Sequence, residues 1–293
     1  MSKKNKPVIW TISHALNWGS KLLKQRHIPS AAHDAYRLLQ YCLKTKVDPY
    51  LLKPTKRLSA RQKAQYRQYI LRRAQFEPLA YITHEVIFDH QKLYVSRDTL
   101  IPRPETEELV KIITDEIKNH PNLSNLKIVD IGTGSGAIAI ALCHYLARIK
   151  IIATDISASA LKVARLNCRL HHLNSRLTLK KSHLLRIFPK KSLDIIVANL
   201  PYVPSSYLSK LTRDITNYEP INAIDGGAVG LRIIEALLKQ AQSRLKPEGL
   251  IFLEIWSNHP RPLRKLIQKY FPKAQATFKK DLADLNRFAI IKI

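Results

Sequence analysis

From residue 127 to the C-terminus, short β-rich runs alternate with helical stretches, and this alternation restricts the fold more than any other feature of the chain. The runs fall at residues 127–131, 149–154, 176–180, 193–198, 250–255, 274–278 and 287–293. Strands separated by helix-length segments cannot pair as hairpins; they pair in parallel through crossovers and need helices on both faces of the sheet. The expected fold is therefore α/β, a seven-stranded doubly wound Rossmann-like sheet.

The grammar before residue 127 is different. Ile12, Leu16, Gly19 and Leu23 recur at helical spacing, and Ser30 is expected to cap a second run carrying Ala35, Leu38, Leu39 and Cys42. Ser59 and Gln62 have the spacing of a capping box, opening a third helix with Ala64, Ile70, Leu71 and Ala74 as its apolar stripe. Runs at 86–88 and 93–95 flank Asp89, His90 and Gln91 and read as a β-hairpin. The expected organisation is a helical, substrate-recognising domain over residues 1–76, a linker with the hairpin over 77–103, and a catalytic domain over 104–293.

Charge adds a context. The chain has 49 Lys and Arg against 22 Asp and Glu, a net of +27. Residues 1–76 alone carry 17 basic and two acidic residues, so this segment is the expected contact face for a polyanionic partner, unless every protein of the organism is equally basic. The lysine-rich first six residues are expected to be disordered. Cys42, Cys143 and Cys168 show no paired spacing, which fits neither a disulfide framework nor a metal site. No apolar run reaches the ~18 residues of a membrane span, and His14 and Asn17 interrupt the start, so an unexported, cytoplasmic monomer is expected.

The first strand runs into Asp130, Ile131, Gly132, Thr133, Gly134, Ser135 and Gly136. Glycine at every second position admits a ligand close to the backbone, but this is not the wider spacing of a dinucleotide pyrophosphate loop, and the Gly-Lys-Ser/Thr of a phosphate loop is missing. A nucleoside without phosphates fits better. Asp155, followed by Ile156, ends the next strand, where a carboxylate accepts both ribose hydroxyl hydrogens, and Asp130 is placed to meet an ammonium group of the ligand. The fourth strand runs into Asn199, Leu200, Pro201 and Tyr202. An acceptor NH2 group has two hydrogens to place, and the Asn199 side-chain oxygen and the Leu200 carbonyl each accept one. Pro201 stiffens this turn, and the ring of Tyr202 can pack on a flat acceptor.

These residues, with Glu77-Pro78-Leu79-Ala80-Tyr81-Ile82, Leu100-Ile101-Pro102-Arg103-Pro104-Glu105-Thr106-Glu107, Glu219-Pro220, Asp225-Gly226-Gly227 and Gly230-Leu231, resemble the peptide chain release factor N5-glutamine methyltransferases, within the class I methyltransferases. The likeness spans nearly the whole chain. It implies S-adenosylmethionine as cofactor and the glutamine of the Gly-Gly-Gln tripeptide of class I release factors as acceptor. It also implies that residues 130, 132–136, 155, 156, 183 and 199 hold the cofactor and that residues 199–202 hold the substrate, with Asn199, Pro201 and Tyr202 catalytic. Three positions depart from the family pattern: Leu200 replaces a proline, His183 stands where an aspartate near the adenine is usual, and Trp256 replaces a glycine after Glu254 and Ile255. Arg103 and Glu105 are expected to join the hairpin to the catalytic domain.

Two other readings fit parts of the pattern. An adenine-N6 methyltransferase acting on RNA or DNA shares an Asn-Leu-Pro-Tyr turn and suits the charge. A protein that binds RNA or the ribosome without cofactor is compatible with His183 and Trp256.

Overall fold

The computed structural model describes residues 10–45, 53–118 and 125–293, so the lysine-rich start lies outside the described residues. The chain divides into two compact units, residues 1–84 with 213–218, and residues 85–212 with 219–293.

The first unit holds α1 (Ile12–Gln25), α2 (Ala31–Leu43), α3 (Ala60–Ala74) and the short α4 (Leu79–Thr83). Its core gathers Leu23, Leu38, Leu39, Tyr66, Ile70 and Ile82. The capping box of α3 is formed as expected, Ser59 accepting from Gln62 N and Gln62 accepting from Ser59 N. Ser30 does not cap α2. Its hydroxyl donates to Asp34 instead, because Asp34 is buried and also receives Arg73 Nε at 2.7 Å. That pair shifts the inner face of α3: Tyr66, Ile70, Arg73 and Ala74 are buried, whereas Leu71, expected in the stripe, is half exposed.

The second unit opens with the hairpin β1 (Glu85–Phe88) and β2 (Gln91–Tyr94), joined by Asp89 and His90, both at positive φ. There follow α5 (Pro104–Ile117), β3 (Ile128–Ile131), α6 (Ala137–Tyr145), β4 (Ile151–Asp155), α7 (Ala158–Leu170), β5 (Leu177–Lys181) and β6 (Leu193–Ala198). After the short α8 (Arg213–Tyr218), which belongs to the first unit, come α9 (Arg232–Arg244), β7 (Leu245–Glu254), α10 (Pro260–Tyr270), β8 (Gln275–Lys280) and β9 (Asn286–Lys292).

All seven expected strands form one sheet, ordered β5-β4-β3-β6-β7-β9-β8. The alternation breaks twice: no helix separates β5 from β6 or β8 from β9, and β9 pairs antiparallel with both β8 and β7. The inner strands β3 to β7 are parallel. Two apolar layers cover the sheet, one containing Val110, Ile140 and Leu142 from α5 and α6, the other Ile234, Leu238, Leu263 and Ile267 from α9 and α10. Burial on both faces explains why β3 and β6 read as nearly unbroken apolar runs.

This order decides where a ligand goes. From β3 the chain moves one way to β4 and β5, then crosses back to β6 on the other side of β3. Loops leaving adjacent strands at such a reversal diverge and open a crevice at the carboxyl edge. Ile131 pairs with Ala198 across this seam, so the glycine loop and the turn beginning at Asn199 emerge side by side.

Candidate active site

A cavity of about 610 Å³ opens at that crevice, and both motifs line it: Gly132, Thr133, Gly134 and Ser135 from one side, Asn199, Leu200 and Pro201 from the other. Asp155, Ile156 and His183 complete the same wall, with Ile131, Ile138, Leu184 and Ile233 as its apolar part. Three expected site residues lie off the wall. Gly136 starts α6 against Ile140 and Ala164. Asp130 is buried beneath the loop. Tyr202 turns its hydroxyl to Glu254 and its ring toward Trp256, so it does not offer its ring to the cavity as expected.

The glycine loop is held by the carboxylate of Asp155, whose Oδ2 accepts from Gly134 N and whose Oδ1 accepts from Ser157 N, both within 2.9 Å. A carboxylate has about four acceptor positions, so Asp155 keeps acceptor capacity for a ligand hydroxyl. Gly134 has φ +55°, and a Cβ there would meet nothing within 4 Å, which leaves room for a ligand over the loop. Asp130 Oδ2 accepts from the Thr133 hydroxyl at 2.6 Å, while its buried Oδ1 has no hydrogen-bond partner. Burial pushes the Asp130 carboxyl up to about 7. An orphaned acid beneath an open loop beside a diol-accepting carboxylate matches a ligand with ribose hydroxyls and a positive charge, as an adenosyl sulfonium amino acid has.

Asn199 is oriented by groups remote in sequence. Its Nδ2 donates to Glu254 Oε2 at 3.0 Å and to Thr106 Oγ1 at 3.2 Å. Thr106 donates to the same Oε2 at 2.7 Å, and Tyr202 donates to Oε1 at 2.9 Å. A carboxylate only accepts, so three donors converging on Glu254 require the Asn199 NH2 to face it. Asn199 Oδ1 and the Leu200 carbonyl take no hydrogen bond from the described residues and remain available to a ligand. Burial raises the Glu254 carboxyl, and the bonds from Thr106 and Tyr202 oppose that rise. Burial and the Glu254 charge together hold the Tyr202 phenol well above its ordinary value, so it stays a donor.

Two braces fix these loops. Glu219 accepts from Ile101 N at 3.1 Å and pairs with Arg103, which itself lines the cavity. Val203 bonds to Ile224 O and Gly226 N, and Gly230 packs so tightly that a Cβ there would overlap the Tyr202 carbonyl. Glu219 therefore holds the 101–103 segment, and the glycine motifs of 225–231 hold the backbone of the 199–203 turn.

Residues 14–83 match the PrmC N-terminal domain family, and residues 109–222 match the family of the ribosomal protein L11 methyltransferase (PrmA). The release factor glutamine methyltransferase of Koribacter versatilis is 33% identical, over 89% of this chain and 91% of that protein. The chain belongs to the release factor glutamine methyltransferase family. A relative of that name from Moorella thermoacetica is 40% identical over 68% of the chain and 69% of its own length. Among solved structures, the hMettl16 catalytic domain in complex with MAT2A 3'UTR hairpin 6 superposes with a TM-score of 0.53 at 17% identity, covering 79% of this chain and 81% of that one. The N-terminal domain of human METTL16 in complex with SAH gives 0.50 at 14%, covering 81% and 85%. Both likenesses concern the fold alone.

Relative to this family site, the sequence reading assigned no role to Thr106 or Glu254. A signal for Glu254 existed: it ends β7, whose Leu253 pairs with Ala198, so it must stand beside Asn199. His183 is exposed on the cavity wall, next to Ser182 and Leu184.

Proposed function

We propose that this methyltransferase carries the methyl group of S-adenosylmethionine to the side-chain amide nitrogen of the glutamine in the Gly-Gly-Gln tripeptide of class I release factors. The observation that supports this reading is the fixed amide of Asn199, bonded through Nδ2 to Glu254 with Oδ1 left for a ligand. Asn199 Oδ1 and Leu200 O accept the two N–H hydrogens of a substrate amide, which fixes the plane of the acceptor and turns one face of its nitrogen along the cavity. An amide nitrogen is a weak nucleophile because its lone pair is delocalised, so alignment must supply most of the acceleration, and alignment can contribute ~7 to 11 kcal/mol.

Gly132, Thr133, Gly134, Ser135, Asp155, Ile156 and His183 would hold the cofactor. When bound, it supplies an electrophilic methyl carbon on a sulfonium. Leu200, Ile138 and Leu184 keep that part of the cavity dry. Tyr202 is protonated and engaged, so it orients rather than acts as base, and the proton passes from the methylated nitrogen to water.

Labelled-methyl transfer tests the reading. Purified protein with labelled cofactor is expected to label a class I release factor; label on rRNA or DNA with none on the release factor refutes it. Among the described residues no helix is long and apolar enough to cross a membrane; a substrate that works in translation supports a cytoplasmic location. Between residues 10 and 84 the described acids, Asp34 and Glu77, are buried on Arg73 and Arg72. Most of the other described Lys and Arg side chains there are exposed, and this supports contact of the helical unit with acidic protein or ribosomal RNA.

Asp130 gives a pH signature. Its carboxyl is raised to about 7, so it is mostly neutral below that pH and charged above it. A cationic ligand prefers the charged form, so cofactor affinity should rise with pH, by about tenfold between roughly pH 5.5 and 7.5, where a tenfold change corresponds to one pKa unit. Asp130→Asn should flatten this rise. Calorimetric titration of both proteins checks it, and parallel profiles would exclude Asp130 as the source.

A further inference from the structure

The segment that follows β2 lines the cavity at residues 97–100, 102 and 103, and Glu219 holds its far end, at Ile101 and Arg103. Its near end leaves β2, an edge strand whose ladder partner is β1. Such a strand presents a row of backbone N–H and C=O groups that must be satisfied from outside the ladder. Lys92 and Tyr94 are two residues apart and point these groups to the same edge, where two side chains of α7 meet them. Asn167 Oδ1 accepts from Tyr94 N at 2.7 Å, and its Nδ2 donates to Tyr94 O at 2.9 Å. His171, one turn further along the same face of α7, places Nε2 2.9 Å from Lys92 O; a carbonyl only accepts, so that nitrogen carries the hydrogen.

Asn167 also reaches the other side of the site. Its Nδ2 donates to Ser135 O at 2.9 Å, in the glycine loop that lines the same cavity. One amide therefore ties together two stretches of cavity wall that are remote in sequence. The side chain is 0% exposed and takes no part in the wall itself. A buried amide is costly unless its hydrogen bonds are made, and here the oxygen and both hydrogens are engaged outside its own helix.

We propose that Asn167 is a positioning residue for the cofactor: it clasps the 95–103 segment to the glycine loop and so sets how firmly the cavity retains S-adenosylmethionine, without touching it. This rests on the reading of the cavity as the cofactor's. Without the clasp the segment occupies its place for only part of the time, and apparent affinity falls by that fraction. Turnover at saturating cofactor is spared, because Asn199 and Leu200 hold the acceptor. Coupling is reciprocal, so bound cofactor tightens the clasp in return.

Calorimetric titration with S-adenosylmethionine, amide hydrogen exchange and steady-state methyl transfer are compared for wild type, Asn167→Ala, Asn167→Asp and His171→Ala, each well below its own Tm. In wild type, cofactor should slow exchange of the Tyr94 amide about tenfold, although Tyr94 is not on the cavity wall. Asn167→Ala should raise the cofactor Kd and KM about tenfold, with kcat and the release-factor KM within about twofold. Asn167→Asp keeps the volume and an oxygen for Tyr94 N but turns an acceptor toward the carbonyls of Tyr94 and Ser135, so it should bind cofactor no better than Asn167→Ala. His171→Ala removes only the bond to Lys92 O from a half-buried position and should weaken binding about threefold, whether or not the Asn167 variants fold. Tyr94 exchange unmoved by cofactor in wild type, near-wild-type cofactor binding by Asn167→Asp, unchanged affinity in His171→Ala, or a fall in kcat with affinity unchanged overturns the clasp alone. Absence of saturable cofactor binding by wild type overturns the cavity assignment and the clasp together.

Discussion

Asn199→Ala is expected to lower kcat on a release factor by about 100-fold while cofactor affinity changes only a few-fold. The alanine removes the side-chain oxygen that receives one N–H of the acceptor, so the amide can turn about its remaining bond to Leu200 O, and misplacement of a reacting group by about 1 Å costs on that order. Cofactor binding survives because the glycine loop and Asp155 are held by their own hydrogen bonds. Single-turnover kinetics beside a cofactor titration separates the two quantities. Equal losses in cofactor affinity and rate would place Asn199 on the cofactor rather than on the acceptor.

Glu254→Ala is expected to be as damaging to rate and, in addition, to stability. The side chain is 1% exposed and receives Thr106, Asn199 and Tyr202. Removing it leaves three donors facing a cavity, and each buried donor without a partner costs about 1 to 3 kcal/mol. The Asn199 amide is then free to flip and present NH2 to the substrate's NH2, which repels it. Glu254→Gln separates orientation from packing: it keeps the volume and one accepting oxygen, but its NH2 faces one of the three donors, so a loss of about tenfold in kcat with a smaller fall in Tm is expected. If Glu254→Ala retained full kcat, the orienting role would be wrong.

Much of this architecture is legible in the sequence because its causes are local. Strands buried on both faces leave unbroken apolar runs, as in β3 and β6, and the positive φ that the loop needs leaves glycines at 132, 134 and 136. The Ser59 box is legible for the same reason, since its two partners are three residues apart. What was missed depends on partners distant in the chain. Thr106 and Glu254 are 148 positions apart and meet only because α5 packs on the sheet beside the end of β7. Leu71 looks apolar and inward, yet the phase of α3 is set by Arg73 reaching Asp34 on α2, a pairing no periodicity reveals. The ring of Tyr202 faces Trp256 because its hydroxyl's partner, Glu254, comes from another strand, which no local pattern reveals. The antiparallel β9 escaped because the run at 287–293 reads the same in either direction.

Locating the transferred methyl group is the most direct measurement. After incubation of the protein with S-adenosylmethionine and a class I release factor, peptide mass spectrometry with fragmentation is expected to find a single methyl on the side-chain amide of the Gly-Gly-Gln glutamine, and none after Asn199→Ala at matched times. A methyl on a lysine, an arginine or another glutamine, or equal modification by the Asn199 variant, would contradict an acceptor amide held between Asn199 Oδ1 and Leu200 O.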